Sequence, residues 1–316
     1  MSKQHLILHI GRHKCGTSAL QQYLSQNDDI LKNKNICYST IGRDNKVAHH
    51  KLASLLNPKF KADKTEIEKT KADFEIEVKG YDTIIISSEA FSNIQNTKLI
   101  KDFFSNYHIT VVCYFREILD YYVSAYSQKV QATKYASSFE QFNKETIISY
   151  QAFEDRWLAI SDHYIKKYFH RPYLFNSDII HDFFKSISIP ILKTSEQTSV
   201  NKSIGGNLLY LKILLNNLDI TKKNLYNRLG KIAQVNKEYS NAFFISDANA
   251  ERYREMHHKN NLFLEKSCGD IHYKTFTDKP LCPNTDKLMA DLEFFKESGL
   301  IYNVRNLWNM HTRLNS

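Results

Sequence analysis

A short glycine-bounded segment, residues 11–18 (GRHKCGTS), constrains the fold of this chain more than any other stretch. It follows an apolar run at 6–10 and precedes apolar residues at helical spacing in 19–24. A strand, a glycine-bounded loop and a helix start, in that order, form a cradle for an anion. Loop amides and the positive end of the helix dipole both face the bound group. The segment therefore predicts an anion-binding loop near the start of the chain.

The glycine spacing resembles that of a nucleotide-binding loop, but the lysine is displaced. The Walker A pattern is G-x-x-x-x-G-K-[ST], with lysine directly after the second glycine. Gly11 and Gly16 keep that spacing, whereas Thr17 stands at the lysine position and Lys14 lies inside the loop. This displacement argues against an ordinary ATP or GTP site and favours a different phosphorylated donor.

Apolar runs alternate with helical patterns over the first 130 residues. Strands are predicted at 5–10, 36–39, 82–88 and 109–115, and the pattern after residue 135 is mostly helical. Near-continuous apolar strands separated by helices are typical of a parallel sheet covered on both faces. We predict an α/β, P-loop-like three-layer fold with a central parallel sheet flanked by helices, plus a mostly helical C-terminal part. One more strand is predicted at 165–173, after a helix at 150–164.

Length and composition fit one large domain with a substantial core. The chain has 316 residues, 42% of them hydrophobic, and no Gly-, Pro- or Ser-rich hinge divides it. We expect a single domain over 1–316, with an α/β nucleotide-binding core at 1–200 and a helical extension packed on it at 201–316. The five scattered cysteines form no C-x-x-C, which argues against a zinc ribbon or a disulfide framework.

Targeting and charge patterns narrow the setting and the partners. No signal-peptide pattern and no apolar run of about 20 residues occur, so we expect a cytoplasmic protein without a membrane span and leave peripheral membrane association open. Forty-three Lys and Arg against 34 acidic residues give a net charge of +9. Such a surplus fits an anionic cofactor, an anionic polymer or nucleic acid, and charge alone cannot choose among them. The aromatic residues form no repeated RNA-stacking motif, so we expect no nucleic-acid partner.

Polar residues follow two of the predicted strands. Glu89 comes after one strand, and Arg116 comes directly after the next, with Ser124 eight residues further on. Active sites in parallel sheets lie at the carboxyl ends of the strands. An arginine at a strand end and a hydroxyl on the next helix suit a phosphate clamp, because the guanidinium makes bidentate, charged contacts. A surface ion pair of Arg116 with Glu117 or Asp120 is the alternative.

At these residues the chain resembles a known family. Residues 11–18 resemble the 5′-phosphosulfate loop of sulfotransferases that use PAPS (3′-phosphoadenosine-5′-phosphosulfate), and 114–126 (YFREILDYYVSAY) resemble their 3′-phosphate motif. Three later segments, 171–173, 182–184 and 200–203, are similar to bacterial carbohydrate sulfotransferases of cell-surface polysaccharide pathways. The resemblance covers most of residues 5–205.

The resemblance implies a set of donor-binding residues and a metal-free reaction with PAPS. The donor-binding set is Gly11, Arg12, His13, Lys14, Cys15, Gly16, Thr17, Ser18, Arg116 and Ser124. Lys14 would contact the bridging oxygen and stabilise charge on the departing phosphate. The strand before Glu89 lacks the aspartate of a Walker B magnesium site, which agrees with an expectation of no metal.

An acceptor hydroxyl must lose a proton, so a base is needed near the donor sulfur. Glu89 is the first choice because it resembles the catalytic glutamate of heparan-type sulfotransferases; His49 and His50 are the alternatives, since imidazole suits a base near neutral pH. The expected acceptor is a hydroxyl of a carbohydrate, either a surface polysaccharide or its precursor, which can be anionic. A small hydroxyl-bearing molecule is the alternative, and acceptor contacts are expected from 38–60 and 130–160.

Two other functions compete with sulfuryl transfer. A P-loop kinase or NTPase acting on a small molecule shares the strand–loop–helix opening and predicts magnesium-dependent ATP binding. A basic module that binds nucleic acid or an anionic polymer ranks last, because only the net charge favours it.

Overall fold

The computed structural model describes residues 3–12, 15–44, 47–191, 204–220, 224–240, 243, 245–274 and 287–315. Within these ranges the chain forms one five-stranded sheet and fifteen α-helices. The strands are β1 (His5–His9), β2 (Ile36–Tyr38), β3 (Thr83–Ser87), β4 (His108–Phe115) and β5 (His163–Tyr168). The strand order is β2-β3-β1-β4-β5, and every neighbouring pair is parallel.

Helices connect and follow the strands. They are α1 (Thr17–Gln26), α2 (Asp28–Lys32), α3 (His50–Leu55), α4 (Lys64–Glu77), α5 (Lys98–Phe103), α6 (Ile118–Ala132), α7 (Phe139–Glu145), α8 (Tyr150–Leu158), α9 (Ile179–Ser186), α10 (Gly206–Asn217), α11 (Leu225–Val235), α12 (Asp247–Met256), α13 (His258–Cys268), α14 (Leu288–Glu297) and α15 (Val304–Asn315). The predicted α/β class, with a central parallel sheet flanked by helices and a mostly helical C-terminal part, is confirmed.

The chain divides into two compact units. The first contains residues 1–116, 149–200 and 262–272, and it holds the whole sheet. The second contains 117–148, 201–261 and 273–316 and is helical where it is described. The predicted single domain, with its division near residue 200, stays a prediction.

The core of the first unit is formed by buried apolar strands of the sheet. The central residues of β1 and β3, Leu6–Leu8 and Ile84–Ile86, are completely buried. One face packs against α1 and α9, where Leu20, Leu24, Phe183 and Phe184 join Ile7, Ile85 and Val112 in one apolar cluster. Burying side chains of this size stabilises the fold by about 1.5–3 kcal/mol each. The sheet is therefore a rigid support for the residues that follow its strands.

Asp182 stabilises this core from the start of α9. Its Oδ2 accepts a hydrogen bond from the buried Tyr114 hydroxyl at 2.9 Å, and its Oδ1 accepts the Phe175 N–H at 3.0 Å. Lys167 Nζ lies 3.3 Å from the same Oδ1. Burial and the neighbouring carboxylate raise the pKa of Tyr114 well above its usual value. The segment 182–184, which contributed to the family resemblance, therefore packs the core.

The edge strand β5 begins earlier than predicted. Helix α8 ends at Leu158, and Asp162 N–H donates to the Ile109 carbonyl at 2.9 Å, which starts the pairing with β4. The strand stops at Tyr168, and a 3₁₀ turn, Arg171–Tyr173, follows. Pro172 lacks an N–H and has a fixed φ, so it favours this turn over a longer strand.

The second unit places α6 against α7, α10 and α12. The buried Glu117 carboxylate caps α6 by accepting the N–H groups of Leu119 and Asp120 at 3.1 and 2.9 Å. Asn261 Nδ2 donates to the same carboxylate at 3.2 Å, and Arg254 pairs with it at 3.4 Å. Glu117 is thus a structural cap with its own basic partner within this unit.

Candidate functional site

Three strand ends lie side by side in the first unit. Strand β1 lies between β3 and β4, and its last residue, His9, is in register with Ser87 and Val112. The loop after β1, the segment after β3 and Arg116 after β4 therefore emerge from neighbouring strands. This is the edge of a parallel sheet where ligands bind.

Glycine is required at both ends of the loop between β1 and α1. Gly16 has a φ of +75°, and its carbonyl accepts the N–H groups of Ala19 and Leu20, so it caps α1. A Cβ on Gly16 would lie 2.9 Å from Phe169 Cε2. A Cβ on Gly11 would lie 2.1 Å from Thr17 Cγ2 and 2.9 Å from His9 Nε2. The loop thus passes too close to its surroundings for any side chain at these two positions.

Arg12 and Cys15 anchor the loop to the protein interior. Arg12 is only 6% exposed, and its guanidinium lies 4.9 Å from the ring centre of Tyr150 and 4.8 Å from that of Phe153. Cys15 belongs to the apolar core beneath α1, and its N–H donates to the Arg12 carbonyl at 3.3 Å. Cation–π contacts of this kind stabilise a buried guanidinium by about 2 kcal/mol. That Arg12 and Cys15 also contact the bound donor stays a prediction.

The first turn of α1 has backbone amides that suit the predicted anion cradle. The amides of Thr17 and Ser18 belong to the first turn and so have no acceptor within the helix, and the Gly16 cap offers no side chain to accept from them. These amides and the helix dipole favour a negative group at this end of a ten-residue helix. The remaining loop predictions, His13 and Lys14, lie outside the described residues.

His9 lies directly beneath the loop. It is completely buried, its Nδ1 lies 2.7 Å from Ser87 Oγ, and its Nε2 has no hydrogen-bond partner among the described residues. Burial lowers the pKa of His9 to about 4, so the ring is neutral at physiological pH. A neutral ring beside Gly11 adds no positive charge to the loop.

Glu89 stands at the end of β3 inside a polar cluster. Ser88 caps the following 3₁₀ turn, Glu89–Asn93, through its Oγ, which accepts the Ala90 N–H at 3.1 Å. The Glu89 side chain is 19% exposed. Gln21 Nε2, on α1, donates to Oε2 at 3.0 Å, and His50 Nε2, on α3, lies 3.7 Å from Oε1. Glu89 is therefore a partly exposed carboxylate held beside helix α1.

His49 has a different environment from its neighbour. It is completely buried; Ser87 N–H donates to its Nδ1 at 3.1 Å, and its Nε2 lies 2.7 Å from the Ser39 carbonyl. This network assigns the proton to Nε2. The ring joins the ends of β2 and β3, and both nitrogens have backbone partners. His49 as a base stays a prediction, and of the two histidines His50 is the one beside Glu89.

The two buried histidines predict a pH-dependent stability. Burial lowers the pKa of His9 and of His49 from 6.5 to about 4. Between these values the unfolded chain binds more protons than the folded one, so stability decreases as pH falls from 6.5 towards 4. We expect each ring to contribute a loss of about 2 kcal/mol between pH 7 and pH 5. Urea unfolding of wild type and His49→Gln at both pH values measures this.

His49→Gln should lose the part of that pH dependence that its own ring contributes, about 2 kcal/mol between pH 7 and pH 5. An identical pH dependence in wild type and His49→Gln would show that His49 is not a neutral buried ring.

Replacing Gly16 is expected to reduce both the free energy of unfolding and the affinity for the predicted donor. In Gly16→Ala the left-handed φ and the contact with Phe169 together are expected to cost roughly 2–4 kcal/mol. Distortion of the helix cap should also weaken PAP binding, where PAP is the desulfated donor. Urea unfolding and calorimetric titration measure the two effects.

Gly80 supplies the matched control, because its φ is +93° and a Cβ at this position would have nothing within 4 Å. Gly80→Ala should show only the backbone cost of about 1–2 kcal/mol and normal PAP binding. Equal behaviour of the two variants would remove the packing argument for Gly16.

Arg116 ends the first unit directly after β4. Its guanidinium lies 5.7 Å from the ring centre of Phe169, and its carbonyl accepts the Tyr150 hydroxyl at 2.9 Å. The side chain is half-buried. Ser124 lies on α6 in the second unit and is also half-buried. Their joint contact with a 3′-phosphate stays a prediction from the sequence motif.

Only one of the three residues around Glu89 is predicted from the sequence. His50 is predicted as an alternative base, whereas Gln21 and Ser88 are not among the predicted site residues. Gln21 is 68 positions from Glu89 and reads as one polar position on an amphipathic helix. Ser88 is visible only as the residue before Glu89 at a strand end.

The described residues offer neither a metal cluster nor a membrane-spanning helix. Across the described ranges, no group of three or more His, Cys, Asp and Glu side chains is arranged to hold a metal ion. None of the helices in the described part of the chain is both long enough and apolar enough to cross a membrane.

No protein-family model and no curated protein matches this chain. Among solved structures it is similar to a sulfotransferase from Alicyclobacillus acidocaldarius, with 16% identity, 72% of this chain and 100% of that chain covered, and a TM-score of 0.40. A likeness of this size does not extend to function, so the assignment depends on the residues of this chain.

Proposed function

We propose that the protein is a sulfotransferase that moves a sulfuryl group from PAPS to a hydroxyl of a carbohydrate. The observation that carries the proposal is the loop between β1 and α1. Gly16 in a left-handed conformation caps α1 and directs the first-turn amides to the edge of the sheet, and the sequence places Lys14 within the same loop. A phosphate group at this position meets backbone donors and a positive helix end.

Arg116 supports a donor that carries a second phosphate. It follows β4, the strand next to β1, so a cation stands at the neighbouring strand end. Guanidinium binds phosphate through two parallel hydrogen bonds, and the net charge of +9 favours a polyanionic donor. A sulfuryl donor with 5′- and 3′-phosphates fits this distribution of hydrogen-bond donors and positive charge.

Glu89 supplies the proton acceptor in the proposed reaction. As the acceptor oxygen forms its bond to sulfur, its proton passes to the Glu89 carboxylate. The bond between sulfur and the bridging oxygen breaks, and its electron pair stays on the 5′-phosphate. Lys14 stabilises that developing charge, which is the type of contact that contributes most to the rate. Proton transfer to a positioned carboxylate adds a further factor.

The net charge of +9 and the family resemblance support the choice of acceptor class. A basic protein fits an anionic oligosaccharide or a precursor of a surface polysaccharide, and a small hydroxyl-bearing molecule is the second choice. Loops and helices around such a site set acceptor choice more than the sheet does.

Sulfur-labelled PAPS tests the proposal. The full chain is incubated in EDTA with labelled PAPS and a panel of neutral and anionic oligosaccharides. We expect label to appear in a carbohydrate fraction and an equal amount of PAP to form. A parallel reaction without EDTA contains phosphorus-labelled ATP and magnesium in place of PAPS, since the same strand–loop–helix order occurs in kinases. Phosphorylated product from ATP, with no transfer from PAPS, would make the kinase the correct assignment.

A further inference from the structure

Glu89 is held on both oxygens by side chains from two different helices. Gln21 Nε2 donates to Oε2 at 3.0 Å, and His50 Nε2 faces Oε1 at 3.7 Å. The first contact is a direct hydrogen bond. The second is longer than a hydrogen bond, so at this distance the ring N–H and the carboxylate interact electrostatically. The two contacts are made to different oxygens of the carboxylate.

Gln21 connects the carboxylate to the donor-binding helix. It is 3% exposed and lies one turn after Thr17, where α1 begins. Its amide group therefore has little freedom to reorient. Any group bound at the start of α1 and the Glu89 carboxylate are then positioned by the same rigid helix.

His50 is oriented by Ser88. Its Nδ1 lies 2.7 Å from Ser88 Oγ, and Ser88 is completely buried. That oxygen already accepts the Ala90 N–H at 3.1 Å, so the Ser88 hydroxyl is suited to donate to Nδ1. The ring proton then lies on Nε2, facing Glu89, as assigned from the hydrogen-bond network. The neighbouring His49, whose ring is hydrogen-bonded to the backbone, is the N-cap of α3 and so helps to position His50, the first residue of that helix.

We propose that Gln21 and His50 are positioning residues that hold Glu89 as an oriented carboxylate. This inference rests on the proposed function. Glu89 takes the proton of the acceptor hydroxyl, while His50 keeps its own proton and donates towards the carboxylate. The oxygen–sulfur bond forms and the bond to the 5′-phosphate breaks as described above, so neither positioning residue gains or loses an atom.

The pair of variants His50→Leu and His50→Gln tests this role. Leucine removes the donor, whereas the glutamine side-chain N–H reaches about the position of Nε2. We expect His50→Leu to lower kcat about tenfold, with KM for PAPS and the Kd for PAP unchanged. His50→Gln should recover to within about threefold of wild type. Gln21→Met should lower kcat to a similar degree as His50→Leu.

A double-mutant cycle separates positioning from folding. In a Glu89→Gln background, His50→Leu should change kcat no further, because its effect acts through the carboxylate. His108→Leu is the control, since His108 pairs with Asp162 at 3.2 Å at the opposite, amino-terminal end of β4. It should leave every kinetic constant unchanged.

Three outcomes overturn the inference. Unchanged kcat in His50→Leu removes the positioning role while leaving the proposed function intact. Equal losses in His50→Leu and His50→Gln, with activity retained in Glu89→Gln, make His50 the base itself. A wild-type protein that neither binds PAP nor uses PAPS removes the proposed function, and this inference with it.

Discussion

Replacing Lys14 by alanine is expected to lower kcat for sulfuryl transfer by about two to three orders of magnitude. Lys14 lies between the two loop glycines, and the loop ends at the cap of α1. In the proposed reaction its ammonium group stabilises the negative charge that develops on the 5′-phosphate as the sulfuryl group departs. The charge is larger in the transition state than in the bound donor, so kcat should fall more than KM rises. Steady-state kinetics with PAPS at saturating acceptor measures the change.

Lys69→Ala is the matched control, because Lys69 is an exposed lysine on α4 in the same unit and lies outside the expected acceptor regions. It should retain wild-type kcat. Undiminished turnover in Lys14→Ala, with unfolding behaviour equal to wild type, would remove the leaving-group role of this lysine.

The second large effect is expected for Glu89→Gln. Loss of the proton acceptor should lower kcat by about two to four orders of magnitude. Glutamine keeps the shape of the side chain and an oxygen that can accept from Gln21, so folding and PAP binding should remain normal. Kinetics, urea unfolding and PAP titration on the same preparation separate these effects.

Glu66→Gln provides the control for a loss of negative charge, since Glu66 is exposed on α4. Its kcat should equal that of wild type. A Glu89→Gln enzyme with wild-type kcat would transfer the role of base to a histidine, and His50 would be the first to examine because it borders the same cluster.

The strands and the glycine-bounded loop between β1 and α1 were predictable because their signals are local. The runs Leu6–Leu8 and Ile84–Ile86 are apolar without interruption and become completely buried central strands. Glycine at positions 11 and 16 reflects close approach and a left-handed φ, both of which a sequence pattern can indicate. The order strand, loop, helix then places this loop at the carboxyl end of β1.

The support around Glu89 was less visible because it depends on distant contacts. Gln21 meets Glu89 only because β1 and β3 are neighbours in the sheet, which brings α1 beside the end of β3. Adjacent histidines at the start of a helix also look alike in sequence. The structure separates them, with His49 bound to two backbone segments and His50 facing the carboxylate.

Some resemblance signals have structural explanations. Asp182 binds the Tyr114 hydroxyl and the Phe175 amide within the core, so packing alone accounts for the segment 182–184. Arg12 lies against Tyr150 and Phe153, which gives this loop cation a stabilising role besides any donor contact.

The early end of α8 arises from pairing of β5 with β4, a long-range contact that helical periodicity does not report.

Metal-free binding of PAP to the edge of the sheet is most directly measured by isothermal titration calorimetry. Wild type, Arg116→Ala and the control Arg305→Ala, which alters an exposed arginine on α15, are titrated with PAP in EDTA and with ATP plus magnesium. We predict that PAP binds wild type and Arg305→Ala equally, binds Arg116→Ala about ten- to hundredfold more weakly, and binds wild type more tightly than ATP with magnesium does. Absence of PAP binding to wild type, or a preference for ATP with magnesium, would contradict the assignment of a PAPS-dependent sulfotransferase.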